Sequence, residues 1–340
     1  MKHNVKILTI GGALQDVFIQ YGNTETVRFH TEEKNSYICM RAGAKIEVKN
    51  ILYYCGGGAA NAAVSFSRAG FDASIFCKIG TDQAADFIFV ALHKEHVHTH
   101  YVQQAKTEPT GTSFIIPGPN NNNAVLVYRG ISMSLTEKEL PESAIAESDQ
   151  LYITSLSGSA APLLIPITQI AKKYNKAVAV NPGTSQLQTG AHYLKEALKN
   201  IDILILNNYE AELLYKSLDP TSTSFTLELF FAAVHAYGTS IIVVTNGAEG
   251  VHASDKKSIY FHPSIKVDIV SSTGAGDAFG SCFVAQLNYG ASIEDALRAG
   301  IINSASVIQH LGTQTGLLKK NEIDERRAKL DKGLLKKHAL

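Results

Sequence analysis

Net charge is what this sequence lacks first: 31 lysines and arginines are balanced by 31 aspartates and glutamates, leaving a formal charge of zero. Without a basic field there is nothing to hold a nucleic acid or an anionic membrane through counterion release, so neither is expected as a partner. Long hydrophobic runs are missing as well. The amino end carries one short apolar run from Val5 to Ile10 with no cleavage site behind it. No later segment approaches the roughly 18 apolar residues that a membrane helix requires, and a cytoplasmic protein is expected. Cysteine is scarce: Cys39, Cys55, Cys77 and Cys282 form no CxxC or paired-zinc spacing, which argues against a disulfide framework and a zinc ribbon. No Gly-Lys pair occurs, which removes the P-loop, and neither GxSxG nor HExxH is found.

What is present is a chain of 340 residues, 45% hydrophobic and 18% charged, ample for a large core. Short β-branched runs recur at Val5–Ile10, Ser74–Ile79, Leu151–Thr154, Ala177–Val180, Ile203–Leu206 and Ile241–Thr245, most followed by a helix-period stretch. That alternation predicts an α/β fold with a mainly parallel sheet flanked by helices. Two regions, 14–54 and 107–130, alternate polar with apolar residues instead, as strands with one face in water do, and are expected to form a small β lid. A lid with an exposed face suits burial against a second copy of the chain. Pro117-Gly-Pro119 followed by Asn120 to Asn123 reads as a hairpin tip. One domain is expected over 1–330, with 331–340 as a charged tail.

The chemistry is expected at Val270-Ser-Ser-Thr-Gly-Ala-Gly-Asp277, which runs from an apolar strand into a helix striped by Phe279, Phe283 and Leu287. The glycines therefore fall at a helix N-terminus, where the unpaired N–H groups of Gly274, Ala275 and Gly276 make an anion site suited to phosphate. Asp277 sits in the first turn, kept ionised by the helix dipole and able to take a proton from a hydroxyl attacking a phosphoryl group. Taken alone, the same letters also describe an ordinary glycine turn. Cys55-Gly-Gly-Gly-Ala-Ala-Asn61 opens a second helix. It misses the dinucleotide fingerprint, because Asn61 replaces the third glycine and the motif does not follow the first strand.

Together these motifs resemble the ribokinase-like, or PfkB, family of carbohydrate and nucleoside kinases. Gly56-Gly-Gly-Ala-Ala-Asn61 is similar to its first signature and Thr273-Gly-Ala-Gly-Asp277 to its second. Asn207-Asn-Tyr-Glu210 resembles its NxxE, Thr245-Asn-Gly247 its TxG, and Gly312-Thr-Gln314 its Gly-Ala-Gln. The resemblance implies a ribokinase-like three-layer fold and an ATP-dependent kinase for an unphosphorylated sugar. A nucleoside kinase is the alternative, and a non-catalytic nucleotide-binding protein a more distant one. It makes Asp277 the general base and Gly274 to Gly276 the anion hole. Asp16, Gly57, Gly58 and Asn61 would bind the acceptor's hydroxyls, Thr245, Gly247 and Asn303 would line the ATP site, and Asn207 and Glu210 would act on Mg²⁺ through its waters.

The departures point in definite directions. Ser271 stands where the family's second motif begins with Asp, which helps to hold a monovalent cation, so potassium activation is not expected. Leu14 and Ser155-Leu-Ser157 replace polar and acidic residues of ribose-specific members, so ribose is not the default acceptor. The lid segment Thr110-Gly-Thr-Ser113 offers no basic residue for a phosphorylated acceptor; Arg129 is the one lid residue that stands out as a substrate contact. The histidines from His93 to His100 fall between a helix end and a short strand with no cysteine or carboxylate cluster, and no metal site is expected there.

Overall fold

Neighbouring residues of the core strands are buried on opposite sides of one sheet. Leu151 and Ile153 pack with Val178, Val180, Leu204, Leu206 and Ile242 on one face, while Tyr152, Ala179, Ile203, Ile205 and Val243 pack on the other. A strand covered on both faces has no polar side to present, which is why these segments read as unbroken apolar runs. The computed structural model describes residues 5–21, 27–30, 36–118 and 123–340. Among them the main sheet runs in the order Lys336–Ala339, Ser258–His262, Val251–Ser254, Ile241–Thr245, Ile203–Asn207, Ala177–Val180, Gln150–Ile153, Lys6–Ile10 and Asp72–Phe76. Pairing is parallel from Asp72–Phe76 across to Ile241–Thr245 and antiparallel beyond.

Helices Leu164–Lys173, Thr184–Ala197, Asn208–Leu218 and Leu227–Ala236 cover one face through residues such as Ile167, Leu194, Leu214 and Phe230. Gly58–Arg68, Ala275–Asn288 and Ile293–Val307 cover the other through Phe66, Phe283 and Leu297. Crossovers of this kind put the carboxyl ends of the parallel strands along one edge, where a crevice can form.

A second sheet joins Ala124–Tyr128, Thr112–Ile116, Leu14–Tyr21 and Val48–Gly56. Its two central strands are parallel, and Asp16 is in register with Ser113 on one side and Tyr54 on the other. Val17, Phe18 and Ile115 are buried, whereas Ile51, Tyr53, Phe114 and Val125 stay exposed. Residues 119–122 of the expected hairpin tip lie outside the described residues.

Three elements differ from expectation. No strand leads into Gly274: residues 263–274 form none, and Ile269 and Val270 are exposed there. Ser74–Ile79 is not one strand: Asp72–Phe76 belongs to the main sheet, and Lys78–Ile79 turns aside to pair with Gln103–Gln104. The supposed charged tail 331–340 contributes an edge strand, Lys336–Ala339, antiparallel to Ser258–His262. The lysines that made it look like a tail suit it to an outer edge, where charge discourages further pairing. Lys337 lies over the Tyr260 ring, 4.6 Å from its centroid, and reaches Glu294 at 3.5 Å.

Candidate active site

Two adjoining cavities open at the carboxyl ends of the parallel strands. The larger, about 270 Å³, is lined by Asn181, Asn207, Glu210, Thr245, Gly276 and Asp277. The smaller, about 80 Å³, is lined by Gly12, Leu14, Gly57, Arg129, Ser132 and Ser157. Gly58, Thr154 and Ser155 line both.

Two glycine-led helices meet here. Gly274 precedes helix Ala275–Asn288 with φ of 83°, a left-handed conformation that glycine adopts without strain. An added Cβ there would also lie 2.8 Å from Thr313 Cβ. Gly57 precedes helix Gly58–Arg68 with φ of 94°, and a Cβ on it would approach the Gly12 carbonyl oxygen to 2.5 Å. The two starts differ in what they leave open: Ala59 and Ala60 N–H both donate to the Gly12 carbonyl, at 3.1 and 3.4 Å, whereas a Cβ on Gly276 would meet nothing within 4 Å, so the first turn of Ala275–Asn288 is the one a ligand can approach closely.

The helices are tied together by their polar residues. Asn61 Nδ2 donates to Asp277 Oδ2 at 2.8 Å, and Ser281 Oγ meets Ser65 Oγ at 2.8 Å. Burial pushes the Asp277 carboxyl above its ordinary value, against the Asn61 hydrogen bond that favours the ionised form. Asp16 is buried too and accepts a hydrogen bond from the Ser113 hydroxyl. Burial raises its pKa to about 6; Ser113 opposes the rise, and the charge of Asp277 adds to it.

Asn207 and Glu210 form a capping box at the start of helix Asn208–Leu218: Glu210 N–H donates to Asn207 Oδ1 at 2.9 Å and Asn207 N–H to Glu210 Oε2 at 3.0 Å. Thr184 Oγ1 donates to the other carboxylate oxygen at 2.9 Å. Burial raises the Glu210 pKa despite these bonds. Arg129 Nη2 donates to Ser185 Oγ at 3.2 Å, and Ser185, Ser157 and Ser155 follow one another at 3.3 and 3.2 Å along that wall.

The expected residues are therefore mostly brought together, with three exceptions. Asn61, expected at the acceptor's hydroxyls, is buried, lines neither cavity and donates to Asp277 instead. Gly247 is exposed in the turn after Thr245, outside the cavities. Asn303 is buried, with Nδ2 donating to the Ala278 carbonyl and Oδ1 accepting from Leu318 N–H, so it ties helices within the core instead of facing the cleft. Sequence reasoning assigned no role to Thr154, Asn181 or Thr313. Their signal was position: Thr154 and Asn181 each stand just beyond a parallel strand. A further cavity of about 200 Å³ lies at the amino ends of Lys6–Ile10 and Asp72–Phe76, lined in part by His98 and His100, and shares no residue with this site. His98 pairs there with Asp72 at 2.9 Å.

Comparison with known proteins decides the family: residues 20–320 match the pfkB family carbohydrate kinases. The chain belongs to that family. Within it, the chain is 27% identical to a ribokinase of Staphylococcus aureus over 308 residues, covering 89% of this chain and 97% of the relative. The structure of Arabidopsis thaliana ribokinase complexed with ribose and ATP superposes with a TM-score of 0.77 at 19% identity, covering 97% of this chain and 100% of that one. Burkholderia thailandensis nucleoside kinase in complex with inosine superposes with a TM-score of 0.73 at 17% identity, covering 95% of this chain and 98% of that one. The fold of this pfkB kinase is thus ribokinase-like, and its enzyme class is a phosphotransferase acting on an alcohol group.

Proposed function

We propose that this pfkB kinase transfers the γ-phosphoryl group of ATP to a hydroxyl of an unphosphorylated sugar. The observation that carries the reading is Asp277, held by Asn61 in the first turn of a helix whose Gly274 start lies beside a cleft that also contains Asn207 and Glu210. Phosphoryl transfer asks for alignment, charge stabilisation and a base, and these parts supply them. Asp277 takes the proton of the attacking hydroxyl, and the N–H groups of Gly274, Ala275 and Gly276 receive the transferred group's charge. Asp16, Gly57 and Gly58 form the acceptor end, with Arg129 on its wall, while Asn61 stays buried behind them on Asp277. Thr245 lies on the ATP side.

Mg²⁺ fits the donor set only through water. Both Glu210 oxygens already hold hydrogen bonds, to Thr184 and to Asn207 N–H. Its negative charge can still orient the waters that this ion sheds reluctantly. When bound, Mg²⁺ would neutralise phosphate charge. Glu210→Gln is expected to raise the Mg²⁺ concentration for half-maximal rate several-fold with little change in the saturated rate. An unchanged Mg²⁺ titration would remove Glu210 from that role.

Potassium is not expected to matter. Ser271 is buried, and its hydroxyl oxygen accepts from Asn123 Nδ2 at 3.3 Å and Thr273 N–H at 3.4 Å. A neutral hydroxyl lacks the charge that a desolvated K⁺ requires. Asp268, upstream, is exposed. Rates in K⁺, Na⁺ and a large organic cation should agree within about twofold at equal ionic strength; tenfold K⁺ activation would contradict this.

A nucleoside is the second reading, favoured by the apolar wall of Leu14, Met133, Leu135 and Leu156 in the smaller cavity. A panel of D-ribose, 2-deoxy-D-ribose, D-fructose, adenosine and inosine, tested for ADP release with Mg·ATP, separates the two. No acceptor-dependent release from any of them, alongside ATP binding, would favour the non-catalytic alternative. We further propose that the exposed face bearing Ile51, Tyr53, Phe114 and Leu126 closes against a second copy, which sedimentation would test. Among the described residues no helix is long and apolar enough to cross a membrane. Cys55, Cys77 and Cys282 are free and buried, which suits the reducing cytoplasm proposed for it.

A further inference from the structure

Asp277 has two carboxylate oxygens, and Asn61 already engages Oδ2. That leaves Oδ1 as the oxygen available to take a proton. Asn61 is itself only 3% exposed, so its carbonyl cannot turn to water. Two donors from one loop meet it instead, the Thr313 hydroxyl at 2.8 Å and Gln314 Nε2 at 3.1 Å. An amide whose oxygen is held this way presents its NH₂ end to Asp277. The loop is anchored in turn, because Arg68 Nη1 donates to the carbonyls of Gln314 and Leu317, each at 2.8 Å, and Arg68 pairs with Glu95 at 2.7 Å. Thr313 also packs beneath the start of the anion-hole helix, as its contact with a Cβ placed on Gly274 indicates.

We propose that Thr313 is a positioning residue for phosphoryl transfer, holding Asn61 so that Asn61 holds Asp277; this rests on the reading of Asp277 as general base. Thr313 stands where the Gly-Ala-Gln pattern that Gly312-Thr-Gln314 resembles has alanine, which has no hydroxyl to donate. Its donation into the Asn61 carbonyl polarises the amide and strengthens the bond from Nδ2 to the carboxylate. Only one oxygen of the base is then left to the acceptor, in a fixed direction.

The experiment compares Thr313→Val, which keeps the shape and removes the donor, with Thr313→Ser, which keeps the donor. Thr313→Ala replaces the valine variant should that not fold. With Mg·ATP and the best acceptor of the five-member panel, Thr313→Val should lower kcat about tenfold with the acceptor KM within about twofold, and Thr313→Ser should stay within about threefold of wild type. The acid limb of the kcat profile should move to higher pH in the valine variant alone. Equal impairment of both variants with an unmoved limb, or a valine variant equal to wild type, overturns the proposal.

A second measurement needs no acceptor. Burial raises the Asp277 pKa, so the native state loses stability as pH rises through that raised value. Removing a bond that favours the carboxylate raises it further. Thr313→Val should therefore lower the thermal midpoint more on the alkaline side of Asp277's ionisation than on the acid side; Asp16, which faces Asp277 and titrates at about 6, is present in every variant compared, and Asp277→Asn should erase the difference. A loss independent of pH, or one that persists with Asp277→Asn, also overturns it. Should wild type phosphorylate none of the panel, the kinase reading falls, while this thermal comparison still decides whether Thr313 acts on Asp277.

Discussion

Replacing Asp277 with asparagine is expected to lower kcat by about 10² or more while leaving the fold and the ATP KM nearly unchanged, because a base of this kind typically contributes that much. The side chain keeps its size, and the new amide's oxygen can still accept from Asn61, so the contact between helices Gly58–Arg68 and Ala275–Asn288 survives. What disappears is a group able to take the acceptor's proton. Since burial holds the wild-type carboxyl above its ordinary value, the rate should fall on the acid side earlier than an exposed aspartate would predict. Steady-state rates across pH, with circular dichroism as the fold control, make the check. Activity within about threefold of wild type would remove Asp277 from the mechanism.

Asp16 should give the second large effect, and one of opposite sign on stability. Asp16→Asn is expected to reduce kcat/KM for the acceptor about 10²-fold, mainly through KM, since a carboxylate accepting hydroxyl hydrogen bonds is worth considerably more than an amide. The same change should stabilise the free enzyme at alkaline pH. With its pKa raised from 3.8 to about 6 by burial, Asp16's own contribution is most favourable below the ordinary value and is lost as pH rises from there through about 6. The full shift corresponds to about 3 kcal/mol as an order of magnitude. Thermal midpoints should therefore favour Asp16→Asn at pH 8 and converge with wild type near pH 4. A variant no more stable at pH 8, with an unchanged acceptor KM, would place Asp16 outside the pocket's chemistry.

Most of the sheet was legible because parallel strands covered on both faces leave continuous apolar runs, as in Ile203-Leu-Ile-Leu206. Lys336–Ala339 was not, since an outer strand is decided by its partner and its polar composition looks like a solvated tail. The glycine starts of both functional helices were legible from local chemistry alone. The direction of a buried amide is a different matter. Asn303 and Asn61 look alike in the sequence, yet one ends on backbone groups inside the core and the other on the Asp277 carboxylate. Only packing of distant segments separates them.

That dependence on distant segments bears on how the enzyme comes into being. Asn61 and Asp277 are 216 positions apart, and Asn61 and Thr313 are 252 apart. Closing such long loops is costly in chain entropy and belongs to slow, late steps of folding. An amino-terminal fragment that stops before residue 277 lacks the carboxylate, and one that stops before residue 313 lacks the hydroxyl that holds Asn61. For this chain, the first turnover marks the arrival of the complete native topology.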